Sequence, residues 1–411
     1  MDSAEREGLR PNGNVPNLRF PEFRGEWEKV RLGEECNMLC GYAFNGEDIV
    51  EQGSYLLMRG INITEGSIRH SSELDRYYSG SIEKLDKYKL AIGDLVIGMD
   101  GSKVGRNSAI VSSYEDGSYL VQRVCRIRSS IGNNYILQFI NNTKFHQYVD
   151  TVKTSSAIPH ISLRDIKNYR ISIPSTQDET DKIAKLFLLL DERIATQNKI
   201  IEDLKKLKSA IIEKVFNGKH PEKLQLNDVG SYIRGLTYSS NDVVEHGGTI
   251  VMRSNNIING SLLDYNNNVV FVNKQMSAEQ QLQNGDVVIC MANGSSSLVG
   301  KSSFYDGSCH SPITVGAFCG IYRSKEPIVK WLFQTNKYRR YIWNSLQGGN
   351  GAIANLNGED ILNMSFPIPN ATFKDTCVKM LTSVDSALEN NMSLCALYTL
   401  QKQHMLRQMF I

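Results

Sequence analysis

The sequence predicts an α+β chain in which one fold is built twice. Three observations lead to this prediction: segments return after a nearly constant interval, short β-branched runs are separated by turn residues, and a long helical stretch follows each such region. Together they indicate two tandem globular domains, each followed by a long helix.

The repeat is clearest in two pairs of segments. MRGINITEGSI at 58–68 returns as MRSNNIINGSL at 252–262, an interval of 194 residues. SAIPHISLRDI at 156–166 has the same frame as GAIANLNGEDI at 351–361, an interval of 195 residues. Because the interval hardly drifts across a whole half, we interpret the chain as a tandem duplication with small insertions in its loops.

Length and composition limit the possible classes of protein. A chain of 411 residues accommodates two to three domains, and 41% hydrophobic residues can form real cores. The net charge of +2 excludes a polycation, so any nucleic-acid binding must come from local patches. Eight cysteines without a CxxC pair indicate reduced thiols rather than zinc or disulfides. There is no apolar run of about 18 residues and the N-terminus is charged, so we expect a cytoplasmic protein without membrane contact.

The globular part of each half has a mixed pattern. A helix is predicted over 135–151, with a counterpart over 330–346, because apolar residues there recur at helical spacing. Strands are predicted for runs that are bounded by turn residues and rich in β-branched and aromatic residues. In the first half these runs are YLLMRGINI, GDLVIGMD, SAIVSS, YLVQRVCRIR and YRISIP.

A long helix is predicted from about Asp178 to Phe216, and a second one ends at Phe410. Apolar residues recur in steps of three and four, and Gln197 occupies one position where this register expects an apolar residue. The predicted seam consists of Ile183, Phe187, Leu190, Ile194, Ile201 and Leu204 in the first helix and Val384, Leu388 and Met392 in the second, which also carries Phe373, Cys377, Met380, Leu397 and Leu400 on its stripe.

A helix about 57 Å long cannot bury such a stripe by itself. The simplest solution is that the two long helices pack against each other and hold the globular parts apart. The alternative is that each is an ordinary amphipathic helix lying on its own domain.

Loops that follow the strands contain side chains suited to DNA. After GDLVI (93–97) and GDVVI (285–289), a Gly/Ser loop of variable length is followed by Val-Gly-Arg or Val-Gly-Lys. A framework kept twice around a changing loop indicates a variable contact surface on a fixed scaffold. The candidates for phosphate contacts are Lys103, Arg106 and Lys301, and those for base edges are Arg59, Asn62, Arg253, Asn255 and Asn256, with Ser102 and Ser296 in the same loops.

A second polar loop is present in both halves, just before the repeated segments at 156–166 and 351–361. Its candidate contact residues are Lys153, Ser155, His160 and Asn350. Asn355 is the repeat counterpart of His160, so no metal or acid–base role is expected for this histidine. For every candidate taken alone, plain solvent exposure is the competing interpretation.

Catalytic motifs are missing from the sequence. It has no Asn-Pro-Pro-aromatic or Asp-Pro-Pro-aromatic motif for amino-group methylation, no G-x-S-x-G and no HExxH. GSSSLVGKS at 294–302 has five residues, not four, between its first glycine and the Gly-Lys pair, so it does not fit a phosphate-binding loop. These absences favour a binding protein over an enzyme, with no catalytic or metal-ligating residue.

Several segments resemble one known family. They are PNLRFPEFRGEWEKVRLGE (16–34), the MRGINITEG and GDLVI strands, AIPHISLRDIKNYRISIP (157–174) and DERIATQNKIIEDLKKLKSAIIEKVF (191–216). The chain is similar to the specificity subunits of type I restriction–modification systems, over essentially its whole length beyond the first fifteen residues. The second half departs from the pattern at Ala354 and Asn355, where the first has Pro159 and His160.

The resemblance implies a fold of two pseudo-symmetric target-recognition domains, separated by two long helices that form an antiparallel coiled coil. It divides the chain into recognition domain 1 at 17–175, a central helical region at 176–219, recognition domain 2 at 220–370 and a C-terminal helical region at 371–411. Each recognition domain would read one half of a bipartite, asymmetric double-stranded DNA target. A helix of about 57 Å would limit the separation of the halves to roughly 17 base pairs.

The resemblance also implies partners. Two methylation subunits would dock on the helices and domains, bind S-adenosylmethionine and methylate an adenine flipped out of each half-site. Restriction subunits would use ATP and Mg²⁺. This chain would bind no cofactor and carry out no chemistry of its own.

Two other functions are possible from the residues alone. In one, a repeat contains a degenerate methyltransferase or nuclease, and the isolated chain would be active. In the other, the chain is a protein-interaction scaffold unrelated to DNA, and exchanging the loop between Gly98 and Gly105 would leave DNA modification unchanged.

Overall fold

Ten strands of each half correspond and follow the same order; among the described residues, the strand pair within 63–68 of the first half and the pair of 292–293 with 354–355 in the second have no counterpart strands in the other half. The computed structural model describes residues 13–218, 220, 222–346 and 354–411. The strands of the first half are β1 (Glu28–Arg31), β2 (Cys36–Cys40), β3 (Ile49–Val50), β4 (Tyr55–Met58), β5 (Ile63–Thr64), β6 (Ser67–Ile68), β7 (Tyr77–Tyr78), β8 (Leu95–Gly98), β9 (Ser108–Ile110), β10 (Tyr119–Leu120), β11 (Val124–Ser129) and β12 (Arg170–Ile173). The strands of the second half are β13 (Glu222–Gln225), β14 (Gly230–Arg234), β15 (Val243–Val244), β16 (Thr249–Met252), β17 (Val270–Val272), β18 (Val287–Cys290), β19 (Ala292–Asn293), β20 (Ser302–Phe304), β21 (Ile313–Val315), β22 (Cys319–Ser324), β23 (Ala354–Asn355) and β24 (Ser365–Ile368).

The helices repeat as well. They are α1 (Leu32–Glu35), α2 (Asn133–Ile140), α3 (Thr143–Val152), α4 (Leu163–Asn168) and the long α5 (Gln177–Phe216), then α6 (Leu226–Val229), α7 (Val329–Leu332), α8 (Asn336–Leu346), α9 (Gly358–Leu362) and the long α10 (Ala371–Met409). The α+β class predicted from the sequence is therefore confirmed.

Each half builds two four-stranded sheets. The first half has the orders β2-β11-β8-β9 and β10-β4-β7-β3, and the second has β14-β22-β18-β20 and β21-β16-β17-β15. All pairs in these sheets are antiparallel except β4 with β10 and β16 with β21, which are parallel. The central strands β8 and β18 are apolar and buried along their length, as expected for strands covered on both faces.

The predicted helices over 135–151 and 330–346 are each two helices. In the first half the break falls at Asn142, whose side chain accepts a hydrogen bond from the Lys144 backbone N–H and so starts α3. In the second half Thr335 accepts from the Tyr338 N–H at 3.1 Å and starts α8. The prediction of single helices was wrong because these polar side chains compete for backbone groups and favour a new N-terminus.

The chain separates into two compact units. The first contains residues up to Asn198 together with Ser393–Ile411, and the second contains Lys199–Met392. Each unit thus includes one set of sheets and a part of both long helices. The core of the first unit includes Trp27, Phe145, Phe187 and Phe410, and the core of the second includes Trp331, Phe366 and Leu381.

Within each unit the two long helices are antiparallel. In the first unit Lys402 donates to Asp191 at 2.5 Å and the Cys395 thiol donates to Asn198 at 3.3 Å, so partner numbers fall in one helix as they rise in the other. The second unit has the corresponding ion pair of Lys208 with Asp385 at 2.7 Å.

The predicted seam on α5 agrees with the observed burial. Ile183, Phe187, Leu190 and Ile201 are buried, Ile194 and Leu204 are half-buried, and the polar Gln197 is buried at its predicted position.

The predicted seam on α10 was partly wrong. Cys377 and Leu388 are buried and Val384 is half-buried, but Met392 is 43% exposed. The other stripe residues that prove exposed are Phe373, Met380, Leu397 and Leu400. Ten buried or half-buried positions of α10 are instead those of α5 shifted by 194, namely 377, 381, 384, 388, 391, 395, 398, 402, 406 and 409. Several of these are polar, so apolarity alone selected the wrong residues.

All eight cysteines are free thiols. Among the described residues no helix is long and apolar enough to cross a lipid bilayer. Nor does the described part of the chain contain a group of three or more His, Cys, Asp or Glu side chains placed to hold a metal ion.

Candidate functional site

In the first unit, most sequence candidates lie where strands β4 and β10 end. These neighbouring strands are parallel, so their carboxyl ends meet at one edge of the sheet. Arg59 follows β4, and the turn Val121–Arg123 follows β10. Loops at the carboxyl ends of parallel strands are common sites for ligands.

Backbone hydrogen bonds bring two more segments to this edge. The Met99 N–H donates to the Arg123 carbonyl at 2.9 Å, and the Ile161 N–H donates to the Met99 carbonyl at 3.0 Å. Asp100 forms a bridge with His160. These contacts bring four segments into one surface, which we call the first edge: residues 59–66, 99–107, 121–124 and 154–161. A cavity of about 480 Å³ in this surface is lined in part by Gly60, Arg69, Ser102 and Lys103.

The predicted phosphate ligands of the first edge are engaged in ion pairs. Lys103 binds Glu65 at 2.9 Å, whereas Arg106 and Lys153 both bind Asp150, at 2.8 and 2.6 Å. The hydrogen bond from Lys153 and the neighbouring Arg106 charge hold the pKa of Asp150 below its usual value. These pairs are solvent-accessible and hence weak, so a phosphate can replace the carboxylate at small cost.

His160 has a local role in its loop. Its Nδ1 lies 3.0 Å from Thr154 Oγ1, and its backbone N–H donates to the same oxygen at 3.0 Å. This arrangement fixes the loop that presents the exposed Ser155.

The second unit has an edge of the same construction. Strands β16 and β21 are parallel, with Arg253 after the first and Gly316–Phe318 after the second. The Met291 N–H donates to the Phe318 carbonyl at 2.9 Å, and the Leu356 N–H donates to the Met291 carbonyl at 2.8 Å. The corresponding surface, which we call the second edge, consists of residues 253–259, 291–301, 316–319 and 354–356. Its cavity of about 530 Å³ is lined by Tyr238, Arg253, Ser254, Asn293, Phe318 and neighbouring backbone.

Sequence comparisons with known proteins match mainly one part of this chain. The family model of the type I restriction modification DNA specificity domain matches residues 24–206. These residues are less than half of the chain, and over them the match confirms the resemblance inferred from the sequence.

Curated relatives match over a similar number of residues. The type I restriction enzyme EcoAI specificity subunit of Escherichia coli is 29% identical over 179 residues, which are 42% of this chain and 29% of that protein. The EcoKI specificity subunit of Escherichia coli strain K12 is 32% identical over 165 residues, 37% of this chain and 34% of that protein. The match thus spans about a third of the length of these relatives.

A solved structure extends the likeness of fold to both halves. The type I restriction–modification S subunit from M. genitalium aligns with 97% of this chain and 99% of its own, with a TM-score of 0.63 and 14% sequence identity. At this identity the alignment establishes a common fold for the specificity domain and the second half.

Two predicted base-reading residues of the specificity fold are in the interior. Asn62 is buried and donates to the Arg69 carbonyl and to Asp75 Oδ1 at 3.2 and 3.1 Å. Asn256 is buried and donates to the carbonyls of Asp264 and Asn267. Because their amides hold loops within the domain, a base contact by either side chain was a wrong prediction.

For the remaining candidates, contact with DNA phosphates or bases stays a prediction. Arg59 and Lys301 are half-buried, and Arg253, Asn255, Ser102 and Ser296 are exposed. Asn350 lies outside the described residues.

The predicted correspondence of Val-Gly-Arg and Val-Gly-Lys agrees with the backbone contacts. The Gly300 N–H donates to the Cys290 carbonyl as the Gly105 N–H donates to the Gly98 carbonyl, and the first half has one more residue, Asn107, before its strand. The predicted equivalence of His160 and Asn355 is also confirmed, because Asn355 pairs with Ala292 as His160 bridges Asp100.

Sequence reasoning missed Arg123 and Phe318. Both occupy the turn after the parallel edge strand, and both side chains are exposed. The signal was present in YLVQRVCRIR, which starts at Tyr119, and TVGAFCGIYR, which starts at Thr314. The repeat aligns Arg123 of the first with Phe318 of the second, between a short and a long strand.

Proposed function

We propose that this chain is the DNA-sequence specificity subunit of a type I restriction–modification complex, without catalytic activity of its own. One observation carries the proposal: the first and second edges have the same backbone arrangement but present different side chains. The family match over residues 24–206 supports DNA as the ligand of the first edge.

Each edge reads one half of a bipartite target. Exposed cations such as Lys103 contact phosphates and fix the register, while side chains such as Arg253 reach base edges in the major groove. Because the two edges carry different side chains, the two half-sites differ and the target is asymmetric.

The long helices set the spacer and receive two methylation subunits. Support comes from large apolar side chains that remain exposed on α5 and α10, among them Leu189, Leu397 and Leu400. Exposed apolar side chains gathered along helices are typical of surfaces that bind other proteins. S-adenosylmethionine, ATP and Mg²⁺ would be bound by the methylation and restriction subunits, which complete the complex.

The test is genome-wide mapping of adenine methylation in a host that lacks it. The chain is expressed with the methylation subunit of its own source, and the control expresses that subunit alone. We expect a bipartite methylated motif that depends on this chain. Absence of a motif, when the two proteins purify as a complex, would contradict DNA reading and leave only an assembly role.

The modular part of the proposal has a separate test. Replacing residues 17–175 with the recognition domain of another specificity subunit should change one half of the motif. A change in both halves would contradict the assignment of one half-site to each domain.

A further inference from the structure

The turn that leaves the parallel edge strand presents one outward side chain in each half. In the first half it is Arg123, between β10 and β11, and in the second it is Phe318, between β21 and β22. The two positions are structurally equivalent, because the carbonyl of each accepts a hydrogen bond of 2.9 Å from the backbone of Met99 or Met291.

The backbone of this turn is held by a glycine on the neighbouring segment. A Cβ added to Gly41 would lie 2.1 Å from the Val121 carbonyl oxygen, and one added to Gly235 would lie 2.2 Å from that of Gly316. Only glycine allows so close an approach of two backbones. The Gly41 and Gly235 N–H groups also donate across the turn, to Val124 and Cys319. Both halves therefore hold the turn by the same backbone hydrogen bonds and the same close approach, although a positive φ occurs at Arg123 and not at Phe318.

Arg123 adopts a backbone conformation that is unusual for its residue type. Its φ is +68°, in the left-handed region that side chains other than glycine rarely occupy. Such conformations persist where the surrounding bonds impose them, and they are concentrated at functional sites.

The side chains on these fixed turns are free to bind. Phe318 is 67% exposed, the highest value among the exposed large apolar side chains of the described residues, and it lines the cavity of the second edge beside Arg253 and Asn293. The Arg123 guanidinium has no hydrogen bond or ion pair within the described part of the chain, whereas Lys103 and Arg106 are both paired.

We propose that Arg123 and Phe318 occupy one base-reading position, used twice, and that each sets the identity of one base pair in its half-site. This inference rests on the proposed function and adds specificity-determining residues to it. An arginine at such a position donates to O6 and N7 of a guanine, whereas a phenylalanine contacts the C5-methyl group of a thymine. The occupant of both turns is the major groove of double-stranded DNA.

DNA is a better partner than a protein because the equivalent position is an arginine in one half and a phenylalanine in the other. A single protein surface that contacted both copies of the turn would have to accept a bare cation in one and an aromatic ring in the other. The major groove presents both chemistries, as guanine acceptors and as thymine methyl groups, from one base pair to the next.

The experiment exchanges the two side chains in the full chain with its methylation subunit. For Phe318→Arg we expect one position of one half-site to change from thymine to guanine, with the other half unchanged. For Arg123→Phe we expect the reciprocal change in the other half. Methylation of the original motif should fall roughly tenfold to a hundredfold in each variant, the loss typical of one good base contact.

Ile92→Ala serves as the matched control, because Ile92 is also a highly exposed apolar side chain but precedes β8 at its opposite end. This variant should keep the original motif and rate. Thermal unfolding of Phe318→Arg and Ile92→Ala should match the unchanged chain, since neither side chain is buried. Arg123→Phe places a bulky ring at a positive φ, so its folding is verified by the same measurement before its motif is compared.

Each other outcome overturns the inference. If both exchange variants methylate the original motif at the original rate, DNA is read elsewhere on the edges and the proposed function stands without this residue pair. If a variant chain no longer purifies with the methylation subunit, the turn is a protein contact. If the unchanged chain directs no motif, the proposed function itself fails.

Discussion

The two halves of this protein share their backbone hydrogen bonds far more closely than their side-chain contacts. One side-chain contact that is shared is the bidentate pair of Arg128 with the buried Asp94, which recurs as Arg323 with the buried Asp286. In contrast, the equivalent Asn62 and Asn256 are both buried and share only one of two contacts: each amide donates to a loop carbonyl, of Arg69 or Asp264, but the second acceptor is the Asp75 carboxylate in one and the Asn267 carbonyl in the other. The comparison teaches that the duplication preserves the frame of the domain while its polar interior is free to diverge.

The long helices show the same difference. Lys208–Asp385 in the second unit and Lys402–Asp191 in the first occupy equivalent positions, because Lys402 and Asp385 follow Lys208 and Asp191 at the repeat interval of 194 residues. Asp385 is buried and also accepts from the Trp331 indole at 3.0 Å, with Lys330 3.2 Å away. Asp191 is 35% exposed and has only its lysine as an ion-pair partner among the described residues.

The largest expected difference between the units concerns the ends of the two helices. Phe410 packs in the first unit against the rings of Tyr135, Phe139 and Phe187, with centroids 5.6, 4.8 and 5.5 Å away. Its equivalent Phe216 is also buried, but no aromatic ring pairs with it in the described residues. Phe410→Ala should lower the free energy of unfolding by about 4 to 5 kcal/mol and Phe216→Ala by about 3 kcal/mol.

Calorimetry combined with hydrogen exchange resolved by segment measures the two losses separately. Phe410→Leu is the control, since it keeps most of the buried volume and removes only the ring contacts. Equal losses for the two alanine variants would contradict a contribution from the aromatic cluster.

The ion pairs give the next largest contrast. Asp385→Ala leaves the Lys208 ammonium buried without its partner, which should lower the free energy of unfolding by about 3 kcal/mol. Asp191→Ala acts at a partly exposed pair and should cost no more than about 1 kcal/mol. Denaturant unfolding of the two variants tests this order.

The double variant Lys208→Met with Asp385→Leu is the control for the buried pair. It removes both charges and replaces them with apolar volume, so much of the lost stability should return. A double variant as unstable as Asp385→Ala would show that the Trp331 and Lys330 contacts, not the lysine charge, decide the loss.

The smallest effect is a pH dependence found in the first unit. Glu115 accepts from the Ser112 N–H and hydroxyl at 2.7 and 2.6 Å and lies 2.8 Å from His70 Nε2. Burial raises the pKa of Glu115, but the hydrogen bonds from Ser112 and His70 outweigh it and hold the pKa below 4.5. A carboxyl group with a lowered pKa stabilises the fold above the unfolded value and loses that contribution as pH falls through the folded value.

We therefore expect the first unit of the unchanged chain to lose stability more steeply below pH 4.5 than that of Glu115→Gln, by less than about 1 kcal/mol. Hydrogen exchange in Asn62–Asp75 at pH 5 and pH 3.5 measures the difference. Parallel pH curves for the two proteins would exclude a role for this carboxylate.

The sequence alone determined the features that depend on periodicity. The repeat interval predicted two copies of one fold, and the pairing of Asn355 with Ala292 reproduces that of His160 with Asp100. The helix predicted from Asp178 is observed at Gln177–Phe216, with Gln197 buried at the predicted break in the seam. These features are local or repeated, so they leave a signal in residue order.

The tertiary structure alone decided which polar side chains are buried and which are presented. Asn62 and Asn256 were predicted to read bases, but their side-chain amides donate hydrogen bonds to loop carbonyls inside the domain, because buried polar groups need partners. Met392 looked like a seam residue but is exposed, whereas Asp385 is buried and Lys402 is half-buried, because each of them pairs with an opposite charge on the facing helix. Arg123 and Phe318 became candidates only when backbone bonds between distant segments placed their turns on the two edges. Partners far apart in the chain determine all of these outcomes, and residue order does not specify which partners meet.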